Sequence, residues 1–141
     1  MDDELLAAYR VTAYRVRLAR GGWATIRVGE PLPAALASLA GDHRWAFITA
    51  WNPRSKPVAR STNRHAQRNL LDALHALAAT RTVRPGCGAG PAGRHEAGWH
   101  EPSLFVIGPD LASLDTLAHR YEQNAYVHGQ GAQPAQLRSL R

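Results

Sequence analysis

The chain has 141 residues, 45% of them hydrophobic and 20% charged, which suits one domain with one core over residues 1–141. Its 17 Lys and Arg residues outnumber its 11 Asp and Glu residues, so the net charge is +6. No run approaches the roughly 20 apolar residues that cross a bilayer, and the start MDDELLAAYR lacks the basic and then apolar order of a secretory signal, so we expect a cytoplasmic protein.

Hydrophobic periodicity and turn residues predict alternating elements along the chain. We expect helices at residues 3–9, 31–39, 62–79 and 111–121, and strands at residues 14–18, 23–28, 44–51, 104–107 and 125–128. The first two strands flank Gly21 and Gly22, which is a hairpin signal. We therefore predict an α+β fold with a small mixed or mainly antiparallel sheet and helices packed mostly on one face. Residues 129–141 are a candidate for a loosely ordered C-terminal segment.

A buried strand runs into polar residues in the stretch FITAWNPRS, residues 47–55. Pro53 ends the strand because proline cannot donate to a sheet ladder. Thr49, Trp51 and Asn52 therefore stand where the chain leaves the sheet. They are the first candidate ligand-binding residues.

A basic cluster follows this strand and consists of Arg54, Lys56, Arg60, Arg64 and Arg68. Such a cluster attracts phosphate groups or an acidic protein partner. The alternative is a solvated helix face, which is favoured because no aromatic residues are interleaved, as they usually are in nucleic-acid binders.

The helix at 62–79 has an apolar side formed by Ala66, Leu70, Leu74 and their neighbours. Asn63 lies on that same side, so its amide points inward near the helix start. The amide either joins a loop to the sheet or contacts a ligand.

Residues 84–98, RPGCGAGPAGRHEAG, contain five Gly and two Pro and are predicted to be a loop. The stretch lacks the Gly-Lys-Ser/Thr of a phosphate-binding loop. In HEAGWH, His95 and His100 are five residues apart, which on a helix turns them about 140° from each other. We therefore predict no metal site and no cofactor, and the single Cys87 excludes an internal disulfide.

The stretch WHEPS, residues 99–103, leads into the strand at 104–107. If the strand extends backwards, Glu101 and Ser103 share one face at its start. Glu101 is then a candidate general base, with Trp99 and Ser103 as ligand-binding neighbours. The alternative is that Glu101 accepts hydrogen bonds from loop amides or pairs with an arginine.

Two further amides, Gln123 and Asn124, stand before the last apolar strand. Both are candidate ligand-binding residues. The alternative for Asn124 is that it ends the preceding helix as a left-handed cap.

Five motifs carry a resemblance: YRVTAY at residues 9–14, TAWNP at 49–53, the pair Asn63 and Asn69, WHEPS at 99–103 and QNA at 123–125. In this order they resemble the bacterial family known as domain of unknown function 3293. The sequence departs from the family at Glu122, where the resemblance leads us to expect Gly. The resemblance implies a small single-domain cytoplasmic protein and implies no reaction.

Two hypotheses follow. In the first, the strand-end residues form a pocket for a small polar or nucleotide-like ligand, and the protein is a hydrolase or a transferase that uses Glu101 as base. In the second, the amides are a structural network, and the protein is a non-catalytic binding or regulatory module whose basic face meets an acidic partner or nucleic acid.

Overall fold

The helices and strands alternate much as the periodicity predicts. The computed structural model describes residues 2–90 and 99–140. The helices are α1 (Asp3–Val11), α2 (Ala34–Ala40), α3 (Arg60–Ala76) and α4 (Leu111–Arg120), with a short 3-10 turn at Pro53–Ser55. The strands are β1 (Ala13–Arg17), β2 (Trp23–Ile26), β3 (Arg44–Ile48), β4 (Thr82–Gly90), β5 (Trp99–Ile107), β6 (Ala125–Gln130) and β7 (Gln136–Ser139). No helix in the described ranges is long and apolar enough to cross a membrane.

All of these strands join one antiparallel sheet, in the order β2-β1-β4-β5-β3-β6-β7. The sheet curls until its two edges meet. Val28, just after β2, forms an isolated bridge with Ala135, just before β7, and the Gly29 N–H donates to the Ala135 carbonyl at 2.8 Å. The predicted α+β fold with a mainly antiparallel sheet is confirmed.

Each face of the sheet has its own hydrophobic core. The concave face packs Val16, Trp45 and Phe105 against Leu36 of α2, and all four are fully buried. The convex face is covered by α3 and α4, whose buried leucines are Leu70, Leu74, Leu114 and Leu117. The two longest helices thus share one face, as predicted, and α2 lies on the other.

The glycine-rich stretch is a strand rather than a loop over residues 84–90, so the prediction of a loop at 84–98 is wrong there, and residues 91–98 lie outside the described residues. The glycines of GCGAG recur at every second residue and therefore face the concave side together. A Cβ at Gly86 would lie 2.8 Å from a Phe47 ring carbon, and one at Gly90 would lie 1.9 Å from Nε1 of Trp99. Because glycine has no side chain, aromatic rings from other strands occupy the space over Gly86 and Gly90.

The end of the chain is also ordered, so the prediction of a loose segment at 129–141 is wrong for β7. Arg138 on β7 donates to both carboxylate oxygens of Asp115 on α4, at 2.7 and 2.6 Å, and the Tyr126 hydroxyl donates to the same carboxylate at 2.6 Å. These hydrogen bonds, that of Arg138 above all, hold the pKa of Asp115 below its usual range. An ion pair between distant segments, which local patterns do not reveal, fixes this strand.

We expect Gly86→Ala to lower the free energy of unfolding by about 1 to 3 kcal/mol, because the new methyl group overlaps the Phe47 ring and the Arg15 carbonyl. The matched control is Gly88→Ala, where a Cβ would meet no atom closer than 3.7 Å. Chemical denaturation of both variants measures the difference. Equal stability of the two would contradict the packing role of Gly86.

Candidate functional site

A cavity of about 280 Å³ lies where β3 ends and β5 begins. Its apolar wall includes Leu5, Ala8, Tyr14, Phe47 and Ile48. Six of the nine predicted catalytic and ligand-binding residues line it: Thr49, Asn52, Trp99, Glu101, Ser103 and Gln123. Trp51, Asn63 and Asn124 do not.

Glu101 places a carboxyl group in this cavity. It stands on β5 opposite Gly88, which has no side chain to cover it. Burial raises the pKa of Glu101 to about 7. At neutral pH the group therefore divides between its charged and neutral forms. Among the described residues the carboxylate accepts no hydrogen bond and pairs with no arginine. Its two alternative roles stay predictions, because the loop residues 91–98 lie outside the described residues.

Asn52 and Asn63 bond to each other as a pair. The Asn52 backbone N–H donates to Oδ1 of Asn63 at 2.8 Å, and Nδ2 of Asn63 donates to Oδ1 of Asn52 at 2.7 Å. Asn63 is 2% exposed, so it points inward as predicted, but it supports the cavity rather than lining it. Because the Asn52 oxygen is engaged, its Nδ2 donor is the group left to face the cavity.

Thr49 joins the end of β3 to the start of β5. Its hydroxyl donates to the Pro102 carbonyl at 2.8 Å and accepts from the Trp51 N–H at 3.0 Å. Gln67 of α3 accepts from the Ala50 N–H at 2.9 Å, which holds the helix to the same strand end. These bonds set the distance between the two sides of the cavity.

The turn after Asn52 has an unusual backbone. Asn52, Arg54 and Ser55 have φ values of 47°, 57° and 60°, in the left-handed region that residues other than glycine, asparagine and aspartate rarely adopt. The Arg54 N–H donates to the Glu122 carbonyl at 2.7 Å, and its guanidinium pairs with the Glu122 carboxylate at 2.8 Å. Strained backbone of this kind persists only where its surroundings hold it, and it concentrates at functional sites.

Gln123 and Asn124 hold this turn from the other side. Gln123, 4% exposed, donates from Nε2 to the Trp51 carbonyl at 3.2 Å and lines the cavity. Asn124 donates from Nδ2 to Oγ of Ser55 at 3.1 Å. Asn124 is not the left-handed cap that the sequence allows, because Glu122, with φ 52°, occupies that conformation.

Of the two candidate tryptophans, only Trp99 forms a wall of the cavity. Its ring packs over Gly90 and approaches Gly88, although 45% of the residue stays exposed. Trp51 is half-buried and offers its backbone carbonyl to Gln123. Trp99 is therefore the candidate tryptophan whose ring can stack on a ligand in the cavity.

A comparison with protein families supports the resemblance seen in the sequence. The family model described as "Protein of unknown function (DUF3293)" matches residues 48–126 of the 141. The chain belongs to this family. No curated protein and no solved structure matches it.

The DUF3293 match includes the TAWNP, WHEPS and QNA motifs, and all three motifs contribute residues to the cavity. The departure at Glu122 keeps the left-handed conformation that glycine adopts readily, and its side chain gains the ion pair with Arg54. Glu122 therefore forms the left-handed turn without glycine.

Helix α1 adds a wall that the sequence analysis missed, although the motif YRVTAY lies partly in it and outside the family match. The Tyr9 hydroxyl lies 3.3 Å from Oγ of Ser55, and burial raises the pKa of Tyr9. Oγ1 of Thr12 donates to the Ala8 carbonyl at 2.7 Å, and the Tyr14 hydroxyl donates to the Tyr9 carbonyl. The repeated tyrosines of this motif were the available signal.

The basic cluster lies on the surface outside the cavity, with all five side chains exposed. Arg60, Arg64 and Arg68 occupy successive turns of α3, and only Arg54 of the cluster forms an ion pair, within the part of the chain that the structure describes. Its predicted partners stay predictions.

Cys87 points to the sheet face opposite the cavity, and its Sγ lies 3.8 Å from Nδ1 of His100. It is therefore not placed to attack a ligand in the cavity. His95 lies outside the described residues. Within residues 2–90 and 99–140, no three His, Cys, Asp or Glu side chains are grouped to hold a metal.

We expect Glu101→Gln to change how stability depends on pH. Because the folded protein binds the Glu101 proton more tightly than the unfolded chain, Glu101 makes stability fall as pH rises from about 4.5 to about 7. The variant should therefore gain about 1 to 3 kcal/mol over the wild type between pH 4.5 and pH 8. Urea denaturation across this range measures the free energy of unfolding of both proteins. Their difference isolates Glu101, because His128, whose pKa is lowered by burial, titrates in both.

Glu30→Gln is the matched control, because Glu30 is an exposed carboxylate. It should follow the wild-type pH profile. A Glu101→Gln profile parallel to the wild type would show that the carboxyl titrates normally.

Proposed function

We propose that the protein binds a small, partly apolar, nucleotide-like ligand in the cavity, and that Glu101 exchanges a proton with it in a hydrolase or transferase reaction. The observation that carries this proposal is a buried carboxyl group with a pKa near 7 and no partner among the described residues, facing a cavity. We place the activity in the cytoplasm, where the free thiol of Cys87 stays reduced.

The cost of this arrangement supports a functional role. A buried carboxyl without a hydrogen-bond partner destabilises the folded protein, and folding gains nothing from it. Groups with such shifted pKa values concentrate where proteins transfer protons, since a general base works best when its pKa lies near the working pH. Glu101 is partly buried, has no such partner among the described residues, and has a pKa of about 7.

The lining supports a flat heterocyclic ligand. Trp99 supplies a ring face for stacking, while Asn52 and Gln123 supply amide groups that suit the mixed donors and acceptors of a base edge. A volume of about 280 Å³ is at the small end for ligand pockets, which favours a nucleobase or nucleoside over a larger molecule. Lys56 follows Ser55 directly and is exposed, so a phosphate outside the mouth would meet a positive charge.

Water fits the role of nucleophile better than a side chain does. Oγ of Ser103 donates to the Glu101 carbonyl at 3.1 Å, and no histidine of the described residues lines the cavity to activate it. In the proposed step Glu101 takes a proton from water as the water oxygen bonds to the substrate. The protonated carboxyl then returns this proton to the leaving group.

The test is a thermal-shift screen with nucleobases, nucleosides and nucleoside monophosphates, followed by mass spectrometry of any binder for products. A ligand present at 100 times its Kd should stabilise the protein by about 2.7 kcal/mol. Trp99→Ala should abolish the shift, and Glu101→Gln should keep binding and abolish turnover. Leu39→Ala, which removes an exposed apolar side chain outside the cavity, is the control. Turnover that survives in Glu101→Gln would remove Glu101 from the mechanism.

A second pair of variants separates a ligand site from a structural network. Asn52→Ala removes the acceptor of the bond that Nδ2 of Asn63 donates, and it should cost about 1 to 3 kcal/mol of stability. Glu101→Ala loses no hydrogen bond to a described residue and should be neutral or stabilising at pH 8. Thermal unfolding at that pH compares them. If both variants were strongly destabilised, Glu101 would belong to the structural network and the proposal of a proton-exchanging site would fail.

A further inference from the structure

One part of the convex sheet face has no helix of the described residues over it. Helices α3 and α4 pack over β3, β6 and the second half of β5. On β1, β2 and the second half of β4 the side chains that alternate away from the concave core are open to solvent or partly so. We call this area the open sheet face and define it by Arg15, Arg17, Trp23, Thr25 and Cys87.

An exposed tryptophan and two arginines form the centre of the open sheet face. Trp23 on β2 is 43% exposed and pairs in register with Arg17 on β1. The guanidinium carbons of Arg15 and Arg17 lie 4.9 and 5.3 Å from the centroid of its ring. The indole ring and the two guanidinium groups thus form a cluster of planar groups on the open sheet face.

The charge of this cluster is uncompensated. Neither Arg15 nor Arg17 forms an ion pair with a carboxylate among the described residues. Strand residues 13, 15, 17, 23, 25, 85, 87, 89, 100 and 102 alternate onto this face, and none of them is acidic. A cation–π contact occupies the face of a guanidinium group, and its N–H donors lie in the plane. Nη1 of Arg17 donates to the Gly22 carbonyl at 3.5 Å, which leaves its other N–H donors for an anion.

We propose that the open sheet face binds single-stranded nucleic acid, with a base stacked on the cluster of Trp23, Arg15 and Arg17 and the neighbouring phosphates bonded to the arginine N–H groups. Aromatic and guanidinium planes recognise unpaired bases because every base has a π-face, while arginines neutralise the backbone. An acidic peptide would satisfy the arginines but leave the tryptophan ring without a flat partner. A duplex hides its base faces, so it would use the charges alone.

The arrangement could not be found by scanning for basic runs with interleaved aromatics. Trp23 lies between the arginines only across the hairpin, in the register that pairs β1 with β2. This surface is separate from the cavity, so the proposal stands or falls independently of the proposed enzymatic function.

The experiment is a fluorescence anisotropy titration of the full chain with fluorescein-labelled 12-nucleotide oligouridine, repeated with oligothymidine and with a DNA duplex. Trp23→Ala should weaken binding of the single strands at least tenfold, through loss of stacking. The double variant Arg15→Gln/Arg17→Gln should lower the slope of log affinity against log salt by about 1.4, which is the effect of two lost phosphate contacts on a single strand.

The matched control is Arg81→Gln/Arg120→Gln, which removes the same charge from exposed positions outside both the open sheet face and the basic cluster. This control should change the salt slope by less than about half as much as Arg15→Gln/Arg17→Gln does. Trp23→Phe keeps an aromatic ring and should retain most of the affinity, which separates lost stacking from a damaged hairpin.

Five results would overturn the proposal: no binding at low salt, equal loss of affinity from the arginine control, unchanged binding by Trp23→Ala, binding to duplex that is as tight as binding to single strands, or a Trp23→Phe variant as weak as Trp23→Ala. The first would leave the face without a nucleic-acid partner. The second and fourth would show attraction by net charge alone. A Trp23→Phe variant that binds as weakly as Trp23→Ala would also exclude a stacking role for the ring.

Discussion

Aromatic rings that pack onto strand glycines determine the shape of the concave face. Trp45 packs over Gly129, Phe47 over Gly86 and Trp99 over Gly90, in each case so closely that a methyl group on the glycine would overlap the ring. A sheet that curls brings the side chains of its concave face together, so large rings fit only where other positions are empty. The cavity lies on this face beside Gly88, and the rings of Tyr14, Phe47 and Trp99 are among its walls.

The polar groups around the cavity follow from where the strands end. A strand end leaves backbone N–H and carbonyl groups outside the ladder, and buried groups of this kind need partners. Thr49 and Gln123 supply such partners, and both also line the cavity. Asn63, behind the cavity wall, accepts from the Asn52 N–H. These side chains therefore fit both hypotheses drawn from the sequence, the ligand pocket and the structural network. The network that holds the strand ends in place also holds the walls of the cavity around Glu101.

Local patterns predicted the elements well and the spatial partners poorly. The helix near residues 62–79 and the hairpin around Gly21 and Gly22 depend on periodicity and turn chemistry within a short stretch, and both were predicted. The strand at RPGCGAG was missed because glycine is poor in strands on average, and the rings that stabilise it there come from Phe47 and from Trp99.

The candidate site shows the same division. Alternation along β5 placed Glu101 and Ser103 on one face, and both line the cavity. Tyr9 was missed because its partner, Ser55, is remote in sequence, and no local pattern indicates that the two segments touch. Its pKa and that of Glu101 depend on burial, which is a property of the whole fold and not of neighbouring residues.

The bridge between Val28 and Ala135 joins segments near opposite ends of the chain. Contacts between such distant segments form slowly, because the chain must close a long loop before it gains any bond. Until Ala135 reaches Val28, the folding protein has two unpaired strand edges, each open to pairing with another molecule. Once the bridge forms, each edge strand is only four residues long and little of either is left to recruit another chain. The bridge thus covers part of the two edges that would otherwise be open to another chain.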